Sequence, residues 1–297
     1  MSARASWEFE QGDAIAPERF ALKQLGGGSR YEAYLVWDEV MFAICVAKVL
    51  RPDQVSDEKA LRDLRREWET LDGLAHPVIL RGFDAVLDGD HPHLLIEHLE
   101  GPTLRRLIKR GGPLPLEQLL PLALNIAGAL QYLRRSEVVH LDVKPDNIVM
   151  GVPPRLIDLS VARSFERAAK TTGIVGTDAY MAPEQCDPER FAGRIGHPSD
   201  VWGLGATLHH AIRGEVPFPR STAARRSEDP TERFPQLDSE PEPLPDWVPT
   251  DLSELIESML APDPGARPGA DEVAARLEPL VAAQPSKLVL SRRGMLG

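Results

Sequence analysis

The stretch Val138–Met150, VVHLDVKPDNIVM, decides how the rest of the chain is read. Asp142, Lys144 and Asn147 follow an apolar Val138–Val139 pair and a histidine. A carboxylate, an ammonium and an amide oxygen at this spacing supply a proton acceptor, a cationic stabiliser and a neutral ligand. The same residues also suit a turn between two strands, with Asp146–Asn147 as an Asx-turn. Leu141 is the odd member, apolar between His140 and Asp142. The flanking sequence has to separate the two readings.

Upstream lie Gly26, Gly27 and Gly28, between two short apolar segments that read as strands. Glycine lets backbone N–H groups approach phosphate oxygens with no Cβ in the way; the other reading is a plain hairpin turn. No Gly-Lys-Ser/Thr ending follows, and no helix, so neither the P-loop nor the dinucleotide fingerprint applies. Lys48 then sits inside the apolar strand MFAICVAKVL and must find a partner or reach water. Leu61, Leu64, Trp68 and Leu71 are spaced three, four and three, as on one helix face, and Glu67 flanks that stripe. A Lys48–Glu67 pair would hold the ammonium ready for a ligand phosphate; a surface lysine on an edge strand is the alternative.

Downstream, Asp158 ends the short strand RLID. A carboxylate there suits a hard cation or a helix cap. Asp142, Lys144, Asn147 and Asp158 taken together give a base, a cationic stabiliser and two ligands for Mg²⁺, nearly what phosphoryl transfer requires.

The chain has 297 residues, 42% hydrophobic and 27% charged, enough for one large domain or two joined lobes. A net charge of −11 argues against nucleic acid or an anionic membrane as main partner. Two cysteines are too few for a disulfide framework, and no apolar run approaches the roughly 20 residues of a membrane span. A cytoplasmic protein is the expectation. Strands dominate to about Leu99, with a hairpin turning at Asp88–Asp90. Helices dominate from Thr103, over the segments starting at Pro115, Pro198, Leu252 and Ala270. Arg220–Pro249, rich in proline and charge, reads as a long surface loop. The expected division is an N-terminal extension 1–19, a small lobe 20–99, a larger lobe 100–282 and a loose tail 283–297.

These motifs, in this order, resemble the eukaryotic-type (Hanks-type) Ser/Thr protein kinase family, its bacterial branch in particular, over about Phe20–Leu280. LGGGSRYEAY is similar to the Gly-rich ATP loop, VAK to the strand carrying Lys48, and RRE to the helix carrying Glu67. LLIEHLEG is similar to the hinge, HLDVKPDN to the catalytic loop, and DLS stands where Asp-Phe-Gly is usual. GTDAYMAPEQ resembles the end of an activation segment, SDVWGLG a central helix anchored by Asp200, and DPGARP supplies Arg267 as a partner for Glu184. The resemblance implies an α+β, two-lobed fold, with a small five-stranded antiparallel sheet and one helix before a mainly helical lobe. It implies ATP bound by Gly26, Gly28, Ala33, Val46, Lys48, Ile96 as gatekeeper, Glu97, Leu99 and Val149. Mg²⁺, with Mn²⁺ as an alternative, falls to Asn147 and Asp158. Asp142 becomes the base, Lys144 the phosphoryl contact, and Thr177 a residue that fixes the loop. Lys144 two residues after the base is the Ser/Thr pattern, so the implied partners are proteins bearing Ser or Thr, with a homodimer as one route to trans-autophosphorylation. Thr171 and Thr172 are candidate phosphosites.

Four positions depart from the family pattern. Tyr31 replaces the third loop glycine, Leu159–Ser160 replace Phe-Gly, and Gly82 falls where a bulky residue usually links the lobes. Leu141 replaces an arginine that often receives an activation-loop phosphate, so weak dependence on that phosphate is expected. None of the four removes a catalytic group. The rival readings are a nucleotide-binding pseudokinase scaffold and, against the activation segment, a small-molecule kinase.

Overall fold

The computed structural model describes residues 5–284 apart from 225, 226 and 228. Its first part is an antiparallel sheet of β1 (Ala14–Ala16), β2 (Arg19–Gly27), β3 (Tyr31–Asp38), β4 (Ala43–Leu50), β5 (Gly82–Val86) and β6 (His93–Glu97), in the order β1-β2-β3-β4-β6-β5. Strand β3 shows why the sheet forms. Glu32, Tyr34, Val36 and Asp38 are buried, while the residues between them are half-buried, the period of a pleated strand. The sheet has six strands rather than the five expected. The sixth, β1, has three residues and one buried side chain, Ile15, so it carries almost no period to read.

Helix α1 (Glu58–Asp72) crosses this sheet. Asp57 caps it, its side chain accepting the Lys59 N–H, which satisfies one of the free donors of the first turn. Ala60, Leu64, Glu67 and Leu71 form its buried face, so Glu67 lies inside the apolar stripe rather than beside it.

The second part is built on α2 (Leu104–Gly111), α3 (Leu116–Arg135), α4 (Phe165–Ala169), α5 (Pro183–Cys186), α6 (His197–Arg213), α7 (Pro230–Arg233), α8 (Thr250–Met259) and α9 (Ala270–Ala282). Every residue of α6 from Ser199 to Ile212 is buried, so this helix is the axis of the lobe. Pro121 stands inside α3, where its carbonyl accepts the Asn125 side-chain amide at 2.7 Å.

The stretch quoted at the outset joins two short strands. Strand β7 (Val138–Val139) pairs with β10 (Arg163–Ser164), and β8 (Ile148–Val149) with β9 (Arg155–Leu156). Between β7 and β8 the chain makes a 3-10 turn over Pro145–Asn147. It is a connection between strands and also the place where the polar groups gather.

Arg220–Pro249 is not a plain surface loop. It contains α7 and a 3-10 turn, and Phe234 is buried against Met181 and Cys186. The Gln236 amide donates to the carbonyls of Asp178 (2.8 Å) and Met181 (3.1 Å). Arg220 and Arg233 pair with Asp178, and Val248 is buried in the main core. These anchors are scattered, so they leave no periodic signal among the prolines and charges. Of the tail expected at 283–297, residues 285–297 lie outside the described residues.

Candidate active site

A cavity of about 770 Å³ opens between the sheet and the helical part. Its walls include Ala33, Val46, Leu80, Ile96, Val149 and Ile157, its mouth Gly27 and Gly28, and its inner end Lys48, Glu67, Asn147 and Asp158. Glu97 and Leu99 line the edge where the two parts join. Gly26 does not line it; Gly27 takes that place. A mainly apolar slot closed by charged groups at one end suits a ligand with a flat ring and an anionic tail.

The strands set the inner end. Ala33 pairs with Lys48, and Val46 with Ile96, so β3, β4 and β6 align three cavity residues and the lysine on one patch. Lys48 Nζ lies 2.7 and 2.9 Å from the two Glu67 carboxylate oxygens and 3.3 Å from Asp158 Oδ1. Burial alone would lower the Lys48 pKa, but Glu67 and Asp158 outweigh it and raise it, so the ammonium stays charged. Asp158 is drawn down to about 2: burial raises it, and Lys48 and Ser160 more than reverse that.

Tyr31 stands over this group, its ring centroid 4.7 Å from Lys48 Nζ, a cation–π distance. Burial, then the Glu67 charge, push its phenol up to about 12. The residue in place of a third glycine therefore adds a neutral aromatic wall beside the lysine.

The Asp142 Oδ2 atom accepts Lys144 Nζ at 2.6 Å and Asn147 Nδ2 at 3.0 Å, and Asn147 also donates to the Asp142 carbonyl at 2.9 Å. Asp142 Oδ1 is buried with no partner among the described residues, an unsatisfied acceptor. Lys144 Nζ lies 2.6 Å from Thr177 Oγ1 and so bridges the carboxylate to the 177 hydroxyl.

The backbone of this loop hangs from α6. Asp200 accepts the His140 N–H at 2.8 Å and the Leu141 N–H at 2.7 Å. Leu141 itself has φ 65° and is buried with Val139, Ala168 and Ile195. The Gln185 amide donates to its carbonyl and to that of Val175, both at 2.9 Å. The end of the following segment is pinned by Arg267, which pairs with Glu184 at 2.7 and 2.9 Å with both side chains fully buried.

Residues 20–276 match the protein kinase domain. The chain belongs to the protein kinase domain family. Among curated relatives of this kinase domain are "Serine/threonine-protein kinase PrkC" of Bacillus subtilis, 27% identical over 85% of this chain and 39% of its own length, and "Serine/threonine-protein kinase PknB" of Mycobacterium leprae, 29% identical over 82% and 39%. "Probable serine/threonine-protein kinase PkwA" of Thermomonospora curvata is 30% identical over 89% and 34%. The kinase domain thus spans about two fifths or less of the length of these relatives. Membership implies ATP and a divalent metal as cofactors.

The two clusters picked out in the sequence, Lys48–Glu67–Asp158 and Asp142–Lys144–Asn147, are brought to one end of the cavity and the loop beside it. The apolar walls Leu25, Leu80 and Ile157 were missed. Each sits next to a marked motif or alone in a loop, with no polar signature of its own.

Proposed function

We propose that the chain transfers the γ-phosphoryl group of ATP to Ser and Thr hydroxyls of proteins, itself included. The observation that carries this reading is the Asp142 carboxylate: one oxygen is held by Lys144 and Asn147, while the other is buried with no partner. That oxygen lacks a donor, which a substrate hydroxyl brought to the carboxylate would supply, and a carboxylate so placed accepts its proton as the hydroxyl oxygen attacks. Lys144 stabilises the charge on the group in transfer and, through Thr177, keeps the loop closed. Lys48, fixed by Glu67, holds the α- and β-phosphates.

Asn147 and Asp158 fit a divalent metal, because both present oxygen atoms at the inner end of the cavity. Among the described residues no three His, Cys, Asp or Glu are grouped to hold an ion by themselves. That suits Mg²⁺, which takes one or two protein oxygens and completes its shell with phosphate and water; Mn²⁺ is the alternative. Such a metal, when bound, neutralises phosphate charge. Asp158, charged at any ordinary pH, keeps that ligand available.

The working unit is the small lobe 20–99 with the larger lobe 100–282. No helix among the described residues is long and apolar enough to cross a membrane. Two free, buried cysteines, Cys45 and Cys186, support action in a reducing compartment such as the cytoplasm. The test is phosphate transfer from labelled ATP to a generic basic protein, with Asp142→Asn as control. Turnover that persists in the variant rejects the base; nucleotide binding without turnover on any protein favours a scaffold.

A further inference from the structure

The glycine loop is gripped from outside the hairpin that carries it. Arg51, just past β4, donates its backbone N–H to the Arg30 carbonyl at 2.9 Å and its Nε to the Gly28 carbonyl at 2.8 Å. Two carbonyls of the loop therefore end on one residue. The guanidinium lies close enough that a Cβ on Gly27 would stand 3.1 Å from Nη2 and only 2.7 Å from the Tyr31 carbonyl.

The same guanidinium reaches the N-terminal segment. Arg51 Nη1 donates to the Ala5 carbonyl and to Glu32 Oε1, both at 2.9 Å. Glu32 is fully buried on β3, and its other oxygen accepts the Trp7 N–H and the Tyr34 hydroxyl, both at 3.1 Å. The Trp7 indole N–H donates to the Leu50 carbonyl at 2.7 Å. Trp7 and Phe9 stack at 5.8 Å, and both meet His91 edge-on, at 4.4 and 5.0 Å. A short strap, Ala5–Phe9, is thus fastened at both ends of its run and joined to the loop through one arginine.

We propose that this strap and Arg51 are positioning elements for the loop, setting its grip on the nucleotide phosphates from a segment the hairpin does not contain. The inference rests on the reading above, that the glycine loop meets ATP phosphates. It acts through backbone carbonyls and touches no reacting atom.

The experiment compares a ligand with phosphates and one without. Dissociation constants for a non-hydrolysable ATP analogue with Mg²⁺ and for adenosine are measured by calorimetry on the full chain, with melting temperature alongside. The variants are Arg51→Lys, Trp7→Ala and the double Arg51→Met/Glu32→Gln, which avoids leaving Glu32 charged and unpaired. Loss of the loop's hydrogen bonds predicts triphosphate binding weaker by about three- to tenfold in the double variant. Adenosine binding should change less than about twofold, and Arg51→Lys should recover part of the loss. Trp7→Ala, which leaves the Arg51–Glu32 pair in place, should move the same way by less, and it carries the test if the double variant does not fold. Equal changes for both ligands, or a lower melting temperature with unchanged affinities, would make the strap merely structural and overturn the inference. A wild-type chain that binds the triphosphate no better than adenosine overturns the phosphate reading itself, and the inference with it.

Discussion

Trp68 fills the space that a side chain at position 82 would occupy. A Cβ built on Gly82 would lie 2.9 Å from the Trp68 ring and 3.3 Å from Leu71 Cβ. Helix α1 therefore supplies, from its own face, the volume that strand β5 lacks, and this contact seats the helix that carries Glu67. Gly82→Val should push α1 outward and lower both melting temperature and activity. Trp68→Ala should cost about 2–3 kcal/mol for a half-buried ring. If the two residues share one volume, Trp68→Ala/Gly82→Leu should be less damaged than the sum of its parts, a coupling read by a double-mutant cycle. Strict additivity would sink the idea.

Asp142→Asn keeps a side chain of the same shape but removes the proton acceptor. Catalytic turnover should fall by about 10²–10⁴, with melting temperature and nucleotide affinity near wild type. A large loss of stability instead would assign the residue to the loop's architecture.

Leu141→Arg should not create a phosphate receptor. The side chain would have to enter the apolar cluster of Val139, Ala168 and Ile195, where an unpaired charge costs several kcal/mol. Unfolding at lower denaturant is expected, with no gain on phosphorylation beyond that of the wild type. The candidate phosphosite Thr171 has a different neighbour: its hydroxyl accepts Arg163 Nη1 at 2.9 Å. Arg163 has no carboxylate partner among the described residues, and burial, then Arg66 and Arg167, lower its pKa. Arg163 thus offers a phosphate on Thr171 a receptor other than position 141. Phosphate on Thr171 should raise the melting temperature, and Arg163→Gln should erase that gain. A phosphorylated wild type that melts with the unmodified protein would refute this.

Acid sensitivity has a definite sign. Burial, then Arg105 and His209, lower His210 from its ordinary 6.5 to about 4, and Tyr180 Oη sits 2.6 Å from its Nδ1. The unfolded chain takes up a proton that the folded chain refuses. This stability is full above pH 6.5 and is lost as pH falls towards 4. Asp200 opposes it. Burial lifts it to about 7 despite the N–H groups of His140 and Leu141, so acidification below 7 favours the folded state. His210→Gln should therefore flatten the fall in melting temperature between about pH 6.5 and 4. Parallel curves for variant and wild type would show that the ring protonates freely in the fold.

Arg267→Met should be among the most destabilising single changes, at about 3–5 kcal/mol, because it strands the buried Glu184 charge. Denaturant titration checks this, and a loss under 1 kcal/mol would mean that water reaches Glu184.

What the sequence made legible was chemistry held at fixed local spacing. Asp142, Lys144 and Asn147 share one short loop, Lys48 breaks an apolar strand that cannot hide a lone charge, and Glu67 flanks the apolar stripe of the next helix. Arg267 and Glu184 emerged only through the family resemblance, since nothing local ties residues 83 apart. What stayed hidden depends on contacts without period. Strand β1 has one inward side chain, and the anchors of Arg220–Pro249 are scattered along it. Trp68 was read correctly as a helix-face residue, but its match to Gly82 is a matter of volume in space. The link from Trp7 to Gly28 runs through Arg51, Glu32 and Leu50, and no part of it has a sequence signature.

At position 141 the loop uses main chain on both sides. The N–H is taken by Asp200, the carbonyl by Gln185, and φ stands at 65°. What chemistry asks of this residue is a peptide unit at a set orientation, while its side chain is a separate inheritance, answering only to the cluster behind it. Arginine or leucine can occupy the position without moving Asp142, provided the cluster changes to suit. Under the proposed activity, control can thus be rewritten at 141 and its neighbours while the reaction beside it stays as it was.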